Sequence, residues 1–197
     1  MSEGRSIFDV PCSVYRNARD NYGRYVDRET GEVIQQMTLR EFCLSDRWKP
    51  TVDRLRLMRN LYGEDAKKMP EYTQTKQLIP GATLSALFEI KPVHDAKKQR
   101  TEIKSRITCN LKQHTGFICI DIDGQDNTSL QDMNSILRTL RHRTEVALLM
   151  RSCSGTGYFA LIPIAYPDRH KEHFAALMRE YASLGITIDK QCGDVTR

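Results

Sequence analysis

Apolar and polar residues alternate most regularly just past the middle of the chain. Gly116-Phe-Ile-Cys-Ile-Asp-Ile-Asp-Gly-Gln-Asp-Asn127 reads as a strand running into a polar turn. Strand side chains alternate faces, so Ile118, Ile120 and Ile122 point to a core while Asp121 and Asp123 share the opposite face. Downstream, Thr128 and Gln131 mark a capped helix whose stripe is Leu130, Met133, Ile136, Leu137 and Leu140. Val146–Met150 is a predicted strand, Arg151–Gly157 a turn and Tyr158–Ile164 a second strand. A helix follows over Asp168–Leu184, stopped by Gly185, and Ile186–Asp189 is a last short strand. This order of strand, helix, strand, strand, helix, strand predicts an α+β fold. Its core is an RRM-like or ferredoxin-like βαββαβ unit with one sheet face under helices and the other open, carrying Asp121 and Asp123.

Upstream the periodicity is weaker. A short strand is expected over Ser6–Tyr15, and Tyr22–Val26 and Glu32–Gln35 are placed to pair around Asp27-Arg-Glu-Thr-Gly31. Thr38 with Glu41 forms a capping box for a helix bearing Leu39, Phe42 and Cys43, and Trp48 and Pro50 are expected to end it or sit in the next turn. The lone Trp48 reads first as a packing residue. Val52–Tyr62 reads as a helix, with Asp65–Met69 extending it or adding a turn. Pro80-Gly81 is a strong turn signal, followed by a strand over Leu84–Ile90. Val93–Lys104 is polar and charged and is expected to be an exposed loop or a poorly packed helix.

Composition narrows the class without choosing a function. The 197 residues are 40% hydrophobic and 28% charged, and suffice for one large or two small domains. No apolar run reaches the roughly 18 residues of a membrane span, and Met1-Ser-Glu-Gly-Arg-Ser lacks the apolar core of a signal peptide. Six scattered cysteines form no Cys-x-x-Cys pair, so free thiols in a reducing cytoplasm are expected. A net charge of +5 permits a nucleic-acid partner. Basic residues concentrate between Lys91 and Lys112, among them Lys97, Lys98, Arg100, Lys104 and Arg106, and again at Arg138, Arg141, Arg143 and Arg151.

Three segments carry candidate chemistry. Asp121 and Asp123 repel each other on one strand face unless a cation lies between them; the alternative is a plain polar turn. Ser152-Cys-Ser154-Gly155-Thr-Gly157 suits close approach of an anion to backbone amides, although a hairpin turn explains both glycines equally. It is neither a Walker loop nor a dinucleotide fingerprint, since no helix opens after it. Asp189, with Asp194 and Arg197 behind it, would adjoin the first strand in a split βαβ layout. Together they suggest metal-assisted phosphoryl transfer.

These residues resemble the archaeo-eukaryotic primase superfamily, and more narrowly the VirE N-terminal and BT4734-like primase-type domains of Bacteroidetes and their mobile elements. The resemblance rests on Ile120-Asp121-Ile122-Asp123, Ser154-Gly155-Thr156-Gly157, and Ile188-Asp189 with Asp194-Val-Thr-Arg197, with a further likeness at Leu78–Thr83. It implies an N-terminal α/β extension over residues 1–80 packed on a catalytic core over 81–197. It further implies primer synthesis from nucleoside triphosphates on single-stranded DNA, with Mg2+ or Mn2+ held by Asp121, Asp123 and Asp189. Ser152, Ser154, Gly155, Gly157, Arg151 and Arg197 would contact the nucleotide phosphates, and the Lys97–Arg106 cluster the nucleic acid. A helicase-like domain or protein is an expected partner, as superfamily members often continue into such a region. One departure stands out: where many primases hold a histidine two residues after the second glycine, this chain has Phe159. The competing readings are a nucleic-acid-binding module of the same fold without efficient chemistry, and a metal-dependent nuclease.

Overall fold

The computed structural model describes residues 6–28, 30–128 and 133–197. The N-terminal part contains β1 (Pro11–Tyr15), β2 (Tyr25–Val26), β3 (Val33–Ile34), β4 (Gln36–Thr38), α1 (Leu39–Cys43), α2 (Lys49–Tyr62), α3 (Pro70–Lys76), β5 (Gly81–Thr83) and β6 (Ala86–Phe88). There follow β7 (Lys91–Asp95), β8 (Arg100–Lys104), β9 (Leu111–His114), β10 (Phe117–Asp123), α4 (Met133–Arg141), β11 (Leu148–Arg151), β12 (Gly157–Pro163) and α5 (His170–Ser183). The fold is mixed α+β, built on several small sheets. The central one has the order β10-β12-β11 with every pair antiparallel, and a second has the order β4-β1-β5. The β1–β5 pairing crosses the expected boundary between residues 80 and 81.

β10 behaves as its alternation demands. Ile118, Ile120 and Ile122 are fully buried in one core with Ile136 and Leu140 of α4 and Phe174, Leu177 and Tyr181 of α5. Removing an isoleucine side chain from water contributes about 1.5–3 kcal/mol, so this stripe fixes which face of β10 meets the helices.

The other face is not open, contrary to the sequence expectation. Phe117 and Leu161 are buried there against Cys12, Leu39, Cys43 and Leu84, with Cys119, Leu148, Met150 and Phe159 packed around them. The N-terminal part therefore covers most of that face, because those side chains are themselves apolar and need a partner. The Asp121–Asp123 end is left less covered: Asp121 is half-buried and Asp123 exposed.

Several local expectations need correction. Val93–Lys104 is neither loop nor helix but the hairpin β7–β8, in register from Lys91↔Lys104 to Asp95↔Arg100. Its turn holds Gln99 at φ 50°, a position where glycine or asparagine is the usual hairpin signal. Pro50 starts a helix instead of ending one, lying in the first turn of α2, where its missing N–H costs nothing. The expected strand over Leu84–Ile90 is shortened to β6, Ala86–Phe88, and Gly81, expected in the turn, starts the separate β5 in another sheet. α3, which the pattern did not reveal, begins at Pro70. The capping box of α1 is present in full: Glu41 N–H donates to Thr38 Oγ1 (3.1 Å) and Thr38 N–H to Glu41 Oε2 (2.8 Å). The predicted Thr128–Gln131 cap and the first part of the α4 stripe, Leu130 and the side chain of Met133, lie outside the described residues.

The expected final strand does not form. Ile186 and Ile188 are buried as predicted, yet the segment makes one backbone bond to β10, Asp189 N–H to the Asp121 carbonyl at 2.8 Å. The reason is Asn127. Its Oδ1 accepts Thr187 N–H (2.7 Å) and its Nδ2 donates to the carbonyls of Thr187 (2.9 Å) and Asp123 (2.8 Å). A side-chain amide has replaced the strand ladder.

A histidine pair ties β9 to α5. Gly116 N–H donates to His114 Nδ1 (2.9 Å), so neutral His114 carries its proton on Nε2 and donates to His170 Nδ1 (2.9 Å). His170 Nε2–H then donates to the Cys192 carbonyl (3.3 Å). Burial, followed by the neighbouring His170, pushes His114 down to about 4, and burial lowers His170 as well. Both rings are held neutral in the fold, so below the ordinary value of 6.5 the unfolded chain takes up protons that the folded one refuses. Stability is thus predicted to fall as pH drops from about 6.5 to about 4. The urea midpoint at pH 5 should lie below that at pH 7, and a His114→Gln/His170→Gln variant should lose most of this difference.

Candidate active site at the acidic end of the central sheet

The site is built where β10 runs out of apolar neighbours. Asp121 follows Ile120 in the strand, and Asp123 N-caps a 3-10 turn by accepting Gln125 N–H on Oδ1 (3.1 Å). Asp189 does the same for the following turn, accepting Gln191 N–H (2.9 Å). The backbone bond from Asp189 to Asp121, together with Asn127, brings Asp189 alongside β10 although it is 68 residues further along the chain.

The electrostatics are those of crowded carboxylates. Burial raises the Asp121 carboxyl above its ordinary range; Arg197 opposes this, while the charges of Asp189 and Asp123 add to it. Arg197 donates from Nη2 to Asp189 Oδ2 at 3.1 Å. Among the described residues, no group of three or more His, Cys, Asp or Glu side chains is arranged to hold a metal ion. The expected trio is therefore neighbouring but not assembled around one point, and one of its members is engaged by Arg197. The donor set still suits a hard divalent cation: Asp121 with two further carboxylates near enough for their charges to act on it, served by one guanidinium.

The glycine turn adjoins the same end. Asp121 pairs with Phe159 and Asp123 with Gly157 across β10–β12, and Gly124 N–H donates to the Thr156 carbonyl (2.9 Å). Gly157 is required by contact: a Cβ there would sit 2.6 Å from the Ile122 carbonyl oxygen. Gly155 has φ +77°, the left-handed region that glycine tolerates. The hydroxyls are linked in a row, with Ser152 and Ser154 Oγ 3.2 Å apart and Ser154 Oγ 3.0 Å from Thr156 Oγ1. Gly157 N–H is taken by Ser152 Oγ (3.1 Å) and Arg151 Nε donates to the Gly155 carbonyl (2.8 Å). The turn is thus a self-braced hairpin as well as a candidate phosphate contact.

Helix α2 contributes two arginines that sequence reading passed over. Arg56 Nη2 donates to the carbonyls of Arg151 (3.2 Å) and Ser152 (3.0 Å), clamping the glycine turn. Arg59 is buried, feels the charge of Asp123, and is paired with Glu64, which in turn accepts from Gln125 Nε2 (3.0 Å). Arg59 and Lys67 hold the Glu64 carboxyl down at about 2. The only sequence signal was the run of arginines that disturbs the apolar period of α2.

The basic cluster divides. Lys98, Arg100 and Lys104 are engaged with Asp95 and Glu102 on the β7–β8 hairpin, and Lys97 is exposed at its turn. Arg106 lies elsewhere, over the Tyr15 ring (5.5 Å), donating to the carbonyls of Ala18 (2.8 Å) and Thr196. It binds the C-terminal segment to the N-terminal part.

Residues 100–197 match the family described as BT4734-like, N-terminal domain. That is the family its three motifs resemble, and the matched stretch contains Asp121, Asp123, the glycine turn, Asp189 and Arg197. No curated protein and no solved structure gave a match.

Replacing Asn127 by alanine removes the side chain that joins Asp123 to Thr187 and the three part-buried hydrogen bonds it makes. A loss of about 2–4 kcal/mol is expected, read as a lower urea midpoint. Asn127→Asp, which turns a buried carboxylate oxygen onto the two carbonyls beside Asp123, should be at least as destabilising as alanine at pH 7 and recover at low pH as the carboxyl is protonated.

Proposed function

We propose that the chain is a primase-type nucleotidyltransferase domain that extends a strand on a single-stranded DNA template from nucleoside triphosphates. The family match supports a role with nucleic acid. The single observation that carries the chemistry is the gathering of Asp121, Asp123 and Asp189 at one sheet end, directly beside the glycine turn. Asp121, Asp123 and Asp189 would hold Mg2+ or Mn2+, which when bound lowers the pKa of the attacking hydroxyl and neutralises charge on the phosphates. The oxygen of a strand-terminal hydroxyl forms a bond to the α-phosphorus while the bond to the pyrophosphate oxygen breaks. Ser152, Ser154 and the backbone at Gly155–Gly157 would orient the phosphates. Arg197, already beside Asp189, is placed to change partner to a phosphate oxygen and so free that carboxylate.

A second reading, a module that binds nucleic acid without efficient chemistry, draws on one observation. Asp189 is paired with Arg197, and the trio is not arranged around a metal among the described residues.

The test is primer synthesis by the full chain on single-stranded DNA with labelled nucleotides and Mn2+. Asp121→Asn should lower product by about a hundredfold or more. Because burial and two neighbouring carboxylates already disfavour the charged form of Asp121, the same variant should be at least as stable as wild type near pH 7. Salt-sensitive DNA binding by wild type with no product at all would favour the second reading.

A further inference from the structure

A recess of about 480 Å³ opens on the same sheet face as Asp121, over the two strands next to β10. Its floor is Met150 and Phe159, and its wall includes Phe42, Trp48, Val52 and Ile79. Asp121 pairs with Phe159, and Phe159 with Met150, so the three form one row across β10, β12 and β11. Directly opposed residues share a face, so Phe159 lies one inter-strand step, about 5 Å, from Asp121 and Met150 two steps, about 10 Å. All six of these apolar side chains are half-buried. Trp48 is fixed from behind, its Nε1–H donating to Tyr25 Oη (3.3 Å) and its ring tilted on Phe42 at 5.3 Å.

The rim carries charge of both signs: Asp46 and Asp53, the latter paired with Lys49, line it along with Arg56 and Arg151, and these two arginines are bound to the glycine turn's own carbonyls. The Nε of Arg56 is buried and has no hydrogen-bond partner. An apolar, partly aromatic floor that starts directly beside Asp121, with two guanidinium groups at its glycine-turn edge, fits a ligand that is flat and apolar-faced at one end and anionic at the other.

We propose that this recess takes the base of the incoming nucleoside triphosphate, with the phosphates leading back past the glycine turn toward Asp121 and Asp123. The assignment rests on the nucleotidyl-transfer reading and adds a place for the base to it. Packing and ligand contact are compatible roles for Trp48: its polar edge is satisfied by Tyr25 while the recess borders the ring.

Trp48 is the sole tryptophan of the chain, so its emission reports on the recess. The full chain with Mg2+ is titrated with ATP and, separately, with inorganic tripolyphosphate, following Trp48 fluorescence and heat of binding. ATP should alter the emission and tripolyphosphate should bind without doing so. Val52→Phe, which fills the recess, should weaken ATP about tenfold and leave tripolyphosphate affinity unchanged. Met150→Phe replaces it should Val52→Phe fail to fold. Equal affinity for ATP and tripolyphosphate with no change in emission overturns the base site while leaving the phosphate site standing. Full ATP affinity in a folded filling variant overturns it equally, as does an emission change produced by a thymidine oligonucleotide but not by ATP. If neither ATP nor tripolyphosphate binds, the nucleotidyl-transfer reading fails and the base site with it.

Discussion

A strand covered on both faces has no cheap way to carry a charge, and β10 carries two. Three isoleucines commit one face to the helices, and Phe117 and Cys119 commit the other to the N-terminal part. Asp121 comes two residues after Cys119 on that second face, at the point where the cover stops. Burying a carboxylate without a positive partner is costly, and the group responds by resisting ionisation. The arrangement at this end follows from that constraint. Asp123 and Asp189 each satisfy one oxygen with a backbone N–H, and Arg197 supplies the nearby positive charge. What is left is a local excess of negative charge facing outward.

The N-terminal part is more than a brace. It closes most of the sheet face and so confines the accessible part of that face to the acidic end and the recess beside it. It also sends Arg56 and Arg59 from one helix to the glycine turn and to the vicinity of Asp123. The two halves are joined again at the other side of the site, where Arg106 packs on Tyr15 and holds Thr196. The geometry around the carboxylates and the glycine turn therefore depends on residues outside the stretch that the family match covers.

Much of the central sheet was legible because its signals are local and strong. The alternation of β10, the apolar stripes of α4 and α5, and the Thr38–Glu41 capping box each need only neighbours in sequence to be read. The cover over Phe117 and Phe159 was not legible, since it depends on which distant elements meet. The β7–β8 hairpin was missed because Gln99 takes a backbone conformation that its residue type does not advertise. The last strand failed for a subtler reason: Ile186 and Ile188 carry the right alternation, but Asn127 takes both hydrogen-bonding groups of Thr187. For the site, an Asp189 segment running beside β10 was expected from a split βαβ layout, and the segment does lie there although its strand does not form. The roles of Arg56 and Arg59 were not expected, because arginines on an amphipathic helix look the same whether they face solvent or a turn.

The central claim is that three aspartates from two distant segments serve one divalent cation. A crystal grown with Mn2+ and a non-hydrolysable nucleoside triphosphate tests it directly through the anomalous signal of manganese. The expected result is a manganese peak within about 2–2.5 Å of oxygens from Asp121, Asp123 and Asp189, with Arg197 moved from Asp189 onto a phosphate. A fully bound nucleotide with Arg197 still on Asp189, and no manganese at the carboxylates, would contradict it.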